Sequence, residues 1–134
     1  MVDHNQIFHE NMGRPPGEGA KFDANKPRFD LIDPEFELTM AIILTQGAKT
    51  HGEYSWQTLA RAEARYTAAL KRHVNAMHRG EFLDPDSGQS HAGHIAVNAM
   101  FLDWFQRMRQ QRIELEAAIA AVRWPGHGEV PEPG

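Results

Sequence analysis

Residues 59–105 read LARAEARYTAALKRHVNAMHRGEFLDPDSGQSHAGHIAVNAMFLDWF, and this stretch decides the fold. At 3.6 residues per turn, Leu59, Ala62, Tyr66, Ala69, Leu70, His73 and Met77 line one face of a helix from about residue 58 to 79. Gly80 ends it, and Asp84-Pro85-Asp86-Ser87-Gly88 reverses the chain. Ser87 or Ser90 can cap a following helix on which His91, His94, Ile95, Asn98, Phe101, Leu102 and Phe105 share a face. That face is apolar at its C-terminal end and polar at its N-terminal end. A core-facing stripe that turns into His, His and Asn needs partners, because unpaired buried polar groups are costly.

Outward from this hairpin the signals stay helical. Asp33-Pro34 is an N-cap followed by a proline at the first helical position, and the helix it opens is expected to run towards Gly47. Phe36, Met40, Ile43 and Leu44 form one apolar face and Leu38 and Ile42 a second, with Glu35, Thr39 and Gln46 as a narrow polar strip. Residues 113–122, with an alanine-rich run, predict a fourth helical segment, stopped at Trp124-Pro125-Gly126. No alternating strand pattern or internal repeat occurs. The expectation is an all-α bundle of about four helices: an irregular arm over 1–33, a helical domain over 34–124 and a flexible tail over 125–134.

The chain has 134 residues, 41% hydrophobic and 24% charged, which suits one globular domain with a modest core. A net charge of −4 argues against direct nucleic-acid binding. No apolar run approaches a membrane span, and the N-terminal residues lack a signal-peptide layout, so the cytoplasm is the expected compartment. The absence of cysteine excludes disulfides, thiolate zinc sites and a cysteine nucleophile. Any metal must be held by Asp, Glu, His, Asn or water: Mg2+ or Mn2+ where carboxylates dominate, Zn2+ where histidines do. Of eight histidines, His73, His78, His91 and His94 fall in the central stretch.

Phosphate loops, GxGxxG, GxSxG, HExxH and an adjacent His-Asp pair are all absent from the sequence. What remains is Glu81-x-x-Asp84 beside His91-x-x-His94-x-x-x-Asn98, with Glu35 available from the first helix. Glu and Asp three apart can meet on one side of a helix end. They repel unless a cation lies between them. A divalent cation so held can bind phosphate oxygens and activate water. Nearby lysines and Arg72 could offset a polyphosphate, and Tyr54, Trp56 and Tyr66 could stack on a base. The residues therefore sketch metal-dependent hydrolysis of a nucleotide phosphoanhydride. The plainer alternative stays open: ordinary turn chemistry at 84–88, an Arg72–Glu81 ion pair, His91 capping its own helix, and His73 as a satisfied core residue. A zinc hydrolase using the histidines with Asp84 is a further reading.

Taken in order, Lys26-Pro27-Arg28-Phe29-Asp30-Leu31, Gly47-Ala48-Lys49-x-x-Gly52-x-x-x-Trp56, Arg72-His73, Gly80-Glu81-x-x-Asp84-x-Asp86-x-Gly88-x-x-His91-x-x-His94-x-x-x-Asn98 and Phe101-Leu102 resemble the phage dATP/dGTP diphosphohydrolase family. That family is similar to the MazG/HisE-type all-α nucleotide pyrophosphohydrolases. The resemblance covers roughly residues 20–105. It implies a MazG-like bundle, a homodimer or homotetramer, and a Mg2+ or Mn2+ site between helices. It implies cleavage of dGTP to dGMP and pyrophosphate, with dATP, GTP or dGDP as other substrates. Glu35, Glu81 and Asp84 are then the expected metal ligands, with His91 and Asn98 as ligands or pocket-lining groups and His94 joining Glu81 and Asp84 in catalysis. Lys26, Arg28, Lys49, Arg72 and His73 are expected on the substrate and Trp56 near its base. The chain departs from the wider MazG pattern in having Leu38 and Thr39 where a second glutamate of ExxE would stand, and His51 where the family has an aromatic residue. The competing class is a non-catalytic helical protein that binds nucleotide or a host partner without turnover.

Overall fold

The computed structural model describes residues 23–123. The expectations for residues 1–22, for Trp124 and for the tail lie outside the described residues. The chain divides into two units, 1–35 and 36–134.

In the first unit, Lys26 N–H donates to the Asp23 carbonyl at 3.0 Å. A 3-10 turn follows at Phe29–Leu31. Asp33 Oδ1 accepts the Glu35 backbone N–H at 3.2 Å, the N-cap contact that Asp33-Pro34 predicts.

Helix α1 spans Pro34–His51, running past Gly47, where it was expected to end. One internal glycine costs only about 1 kcal/mol relative to alanine. The stop comes at Gly52, whose φ of +96° suits the left-handed position after a helix. A 3-10 turn at Ser55–Thr58 then carries Trp56. Tyr54 just before it has φ +57°, a left-handed conformation that is uncommon for a non-glycine residue.

Helix α2 is Ala62–His78 and α3 is His91–Arg123. Gly80, φ +93°, closes α2: its N–H donates to the Met77 carbonyl at 3.0 Å and Glu81 N–H to the Ala76 carbonyl at 3.1 Å. These two bonds make a Schellman motif. An isolated antiparallel bridge, Leu83 to Ser90, ties the loop across its base. Ser90 caps α3, its Oγ accepting Gly93 N–H at 3.0 Å.

Residues 113–122 do not form a separate fourth helix. They continue α3, which is 33 residues long. Nothing between Arg112 and Val122 breaks a helix, and Glu, Leu and Ala all favour one. The architecture is all-α, with three helices among the described residues.

The core lies where α2 and α3 pair antiparallel. Arg109 bonds Glu63 at one end and His73 meets His91 at the other. Ala62, Ala76 and Val97 are buried there, and small alanines let the two backbones approach. Helix α1 crosses α3 at buried Gly93, with Ile43 buried beside it. Gln46 Nε2 donates to the Ser87 carbonyl at 3.3 Å, joining α1 to the loop. No described helix is long and apolar enough to cross a membrane.

Candidate metal centre and substrate cavity

The loop between α2 and α3 brings one carboxylate against three histidines. His73 comes from the last two turns of α2, Asp84 from the loop, and His91 and His94 from the first turn of α3. His73 Nδ1 and His91 Nδ1 lie 2.8 Å apart. Asp84 Oδ2 is 3.6 Å from His73 Nδ1 and 3.9 Å from His94 Nε2. The His73 and His94 rings stack at 4.4 Å, nearly parallel. One donor atom each from His73, Asp84 and His91 falls within 4.8 Å of the others. Two imidazole nitrogens and a carboxylate oxygen so converged form a donor set that can hold one divalent cation.

The loop geometry explains the aim of Asp84. Its Oδ1 accepts the N–H groups of Asp86 at 2.7 Å and Ser87 at 3.4 Å, an Asx turn that leaves Oδ2 facing the rings. Burial pushes the Asp84 carboxyl upwards, but the two N–H donors together with the neighbouring His94 and His73 rings hold the group below the usual carboxylate range. His73 is held below the ordinary imidazole value, first by burial and then by repulsion from His94. His94 is lowered by burial, against the pull of Asp84. Both are therefore biased to the neutral form, the form that ligates metal or accepts a proton.

Glu81 does not stand one helical turn from Asp84. The chain leaves α2 through left-handed Gly80, so both acids sit on the loop, and Glu81 Oε1 meets the far side of His91, 2.8 Å from Nε2. The Arg72 ion pair that the plainer reading allowed does not occur among the described residues; the Glu81 carboxylate contacts the His91 ring instead. His73, expected on the substrate, joins the donor cluster instead. Asn98 is buried, and its Nδ2 donates to the His94 carbonyl at 2.8 Å rather than into the cluster. Ser87, which the sequence offered only as a cap, has its Oγ 2.6 Å from His94 Nε2.

His94 and Asn98 also line a cavity of about 820 Å3. Its walls come from α1 at Ile43, Leu44 and His51, from Glu53, Tyr54 and Trp56, and from α2 and α3 at Arg65, Tyr66 and Phe101. The size suits a nucleotide. Trp56 lines it but is not a free stacking platform on every side: it stacks on Phe101 at 4.5 Å and meets Trp104 edge-on at 5.2 Å. A smaller cavity of about 330 Å3 adjoins through Arg65, Tyr66 and Asn98 and includes Arg72. Arg65 lines both and was not singled out from the sequence. Its spacing of seven residues from Arg72, two helical turns, was the available signal. Lys49 is exposed on α1 and does not line either cavity. Within the first unit, Lys26 pairs with Asp23 at 3.8 Å and Arg28 with Asp30 at 2.7 Å, while Glu35 is exposed in the first turn of α1.

The sequence matches the profile of the family described as dATP/dGTP diphosphohydrolase, N-terminal, over residues 16–114. A protein of Salmonella phage PMBT28 named dATP/dGTP diphosphohydrolase is 37% identical over 107 residues, covering 78% of this chain and 36% of that protein. The chain thus spans about a third of the length of this relative. No solved structure matches it. Because the matched residues take in α1, α2, the whole loop with its histidine cluster and most of α3, the chain belongs to the dATP/dGTP diphosphohydrolase N-terminal family.

Proposed function

We propose that this chain is a metal-dependent nucleotide pyrophosphohydrolase, cleaving dGTP to dGMP and pyrophosphate with Mg2+ or Mn2+, in phage nucleotide metabolism in the host cytoplasm. Cleavage of dATP is part of the proposal, since the phage relative carries both bases in its name. GTP and dGDP are further substrates to test. The observation that carries the reading is His94, whose ring stacks on His73 of the metal-competent cluster and also lines a nucleotide-sized aromatic cavity.

The bound cation would polarise the phosphate oxygens and offset their charge, held by His73, Asp84 and His91. The chain's own groups supply the rest. The base lies in the aromatic part of the cavity near Trp56 and Tyr54. Arg65 and Arg72 grip the polyphosphate, for which guanidinium forks are well shaped. His94, kept neutral by burial, takes the proton of the attacking water directly or through Ser87 Oγ. The water oxygen bonds to the α-phosphorus, the α–β bridging bond breaks, and pyrophosphate leaves.

A homodimer or homotetramer is also proposed. Leu115, Ile119 and Val122 are exposed along the C-terminal part of α3, a stripe that a second copy would cover.

Incubation of the purified chain with each dNTP and NTP, with Mn2+ or Mg2+ and then with chelator, tests the activity. Chelator-sensitive monophosphate and pyrophosphate are expected. Nucleoside and triphosphate would point to different chemistry, and tight binding without turnover would support the non-catalytic class.

A further inference from the structure

The proposed reaction calls for a divalent cation; which residues hold it, and which cation they prefer, is a separate matter of coordination chemistry. We propose that His73 Nδ1, Asp84 Oδ2 and His91 Nδ1 form one nitrogen-rich centre that prefers Mn2+, Co2+ or Zn2+ to Mg2+, and that Glu81 is its positioning carboxylate rather than a ligand. The proposal rests on the functional reading only for the role of the ion.

The two Nδ1 atoms face each other at 2.8 Å, too close for both to carry a proton. Glu81 decides which one does not. A carboxylate at 2.8 Å from Nε2 accepts a hydrogen bond from Nε2–H, so His91 holds its proton there and turns an Nδ1 lone pair inward. His73 Nδ1–H then donates to that lone pair in the metal-free protein, and an entering cation would take that position as His73 passes to its Nε2–H tautomer, its proton moving from Nδ1 to Nε2 through solvent. Asp84 contributes a single oxygen, since Oδ1 is spent on Asp86 and Ser87. His91 is deeply buried, with its side chain 4% exposed, so its orientation is set by packing as well as by Glu81.

Two charges oppose each other here. The N-terminus of α3 disfavours a cation by the helix dipole. Asp84 in contact and Glu81 behind His91 bring two negative charges, which outweigh that partial charge. Two imidazoles beside one carboxylate suit a borderline transition ion, whereas Mg2+ prefers an all-oxygen octahedron and keeps its waters. His94, stacked on His73, also lines the cavity, so a phosphate oxygen or water reaching past it would complete the coordination.

The test uses the metal-free full chain without nucleotide. Titration calorimetry with Mn2+, Zn2+ and Mg2+ should show one site that binds the first two at least about tenfold more tightly than Mg2+. Electron spin-echo modulation of the Mn2+-loaded wild-type chain should carry imidazole nitrogen coupling, a readout that needs no variant. His73→Gln should lose that coupling in part and the tight site with it, with circular dichroism reporting the fold. Glu81→Gln should weaken affinity by about 10–100-fold yet keep the stoichiometry and the nitrogen signal, as an orienting group would. Equal or tighter Mg2+ binding, or no nitrogen coupling in the wild type, would overturn the centre. Loss of a coordinated oxygen in Glu81→Gln with the imidazole nitrogen coupling unchanged would overturn the positioning role. Because nothing here depends on turnover, a chain that binds one such ion and cleaves no nucleotide would keep this inference and sink the activity instead.

Discussion

Gly93 of α3 faces Thr39 of α1 so closely that a Cβ built on it would lie 2.5 Å from Thr39 Cγ2, with Ile43 Cδ1 at 3.0 Å. The approach of α1 to α3, and hence the wall of the large cavity, depends on that missing methyl group. Gly93→Ala gains helix propensity of about 1 kcal/mol but forces an overpacked contact costing about 1–3 kcal/mol. The clash should win, with the melting temperature falling by several degrees. Adding Thr39→Ser, which removes Cγ2 and keeps the hydroxyl, should restore part of the loss. A Gly93→Ala variant more stable than wild type would show that α1 does not seat here.

His94→Gln should lower kcat by about 100-fold or more with a small change in KM, since it removes a proton acceptor and little binding surface. Single-turnover hydrolysis of dGTP measures this. An unchanged kcat would remove His94 from the chemistry.

Arg65→Gln should raise KM for a nucleoside triphosphate about tenfold or more, through loss of a charge-assisted contact to phosphate. Arg72→Gln should act in the same direction. Tyr54→Ala, by contrast, should alter discrimination among bases more than among mono-, di- and triphosphates. Inhibition constants for the three phosphorylation states separate the two effects.

Stability should fall as pH drops below about 6.5, the ordinary histidine value. His73 and His94 have lowered values in the folded protein, so the unfolded chain binds their protons more readily and acid favours it. The groups facing His73 are His91 and Asp84 across the cluster, the stacked His94, and Arg72 on its own helix; Asp84 alone favours the charged ring. Asp84, lowered as well, stabilises the fold above the usual carboxylate range, and that contribution disappears at still lower pH. Thermal melts of the metal-free chain from neutral pH to pH near 5 should show the loss, and His73→Gln should flatten it. A melting temperature independent of pH across this window would contradict the burial of the cluster.

Much of this fold is written locally. Asp33-Pro34 announces α1, Gly80 ends α2, and Ser90 caps α3, because caps and stops depend on the few residues that make them. The polar end of the α3 stripe, His91, His94 and Asn98, likewise marks the site, since helical spacing alone puts those residues together. Local signals misjudge only how far a helix runs: α1 passes Gly47, and α3 absorbs the segment expected as a fourth helix, because weak breakers and a change in composition do not stop a helix.

What the tertiary structure decided is which of those groups meet. His73 lies on an apolar stripe and reads as a core residue, yet the antiparallel pairing of α2 with α3 sets its Nδ1 against His91 and near Asp84. Glu81 and Asp84 read as a carboxylate pair. The left-handed exit at Gly80 and the Asx turn at Asp84 send them to opposite sides of His91 instead. Arg65 is marked in the sequence only by its two-turn spacing from Arg72 and Ser87 only as a cap, and the packing of the loop and of α1 against the hairpin gives them a cavity and a histidine to face. Period and capping are properties of neighbours in the chain; the coordination of a metal or the grip on a phosphate belongs to residues that only the packed helices bring within a few ångströms of one another.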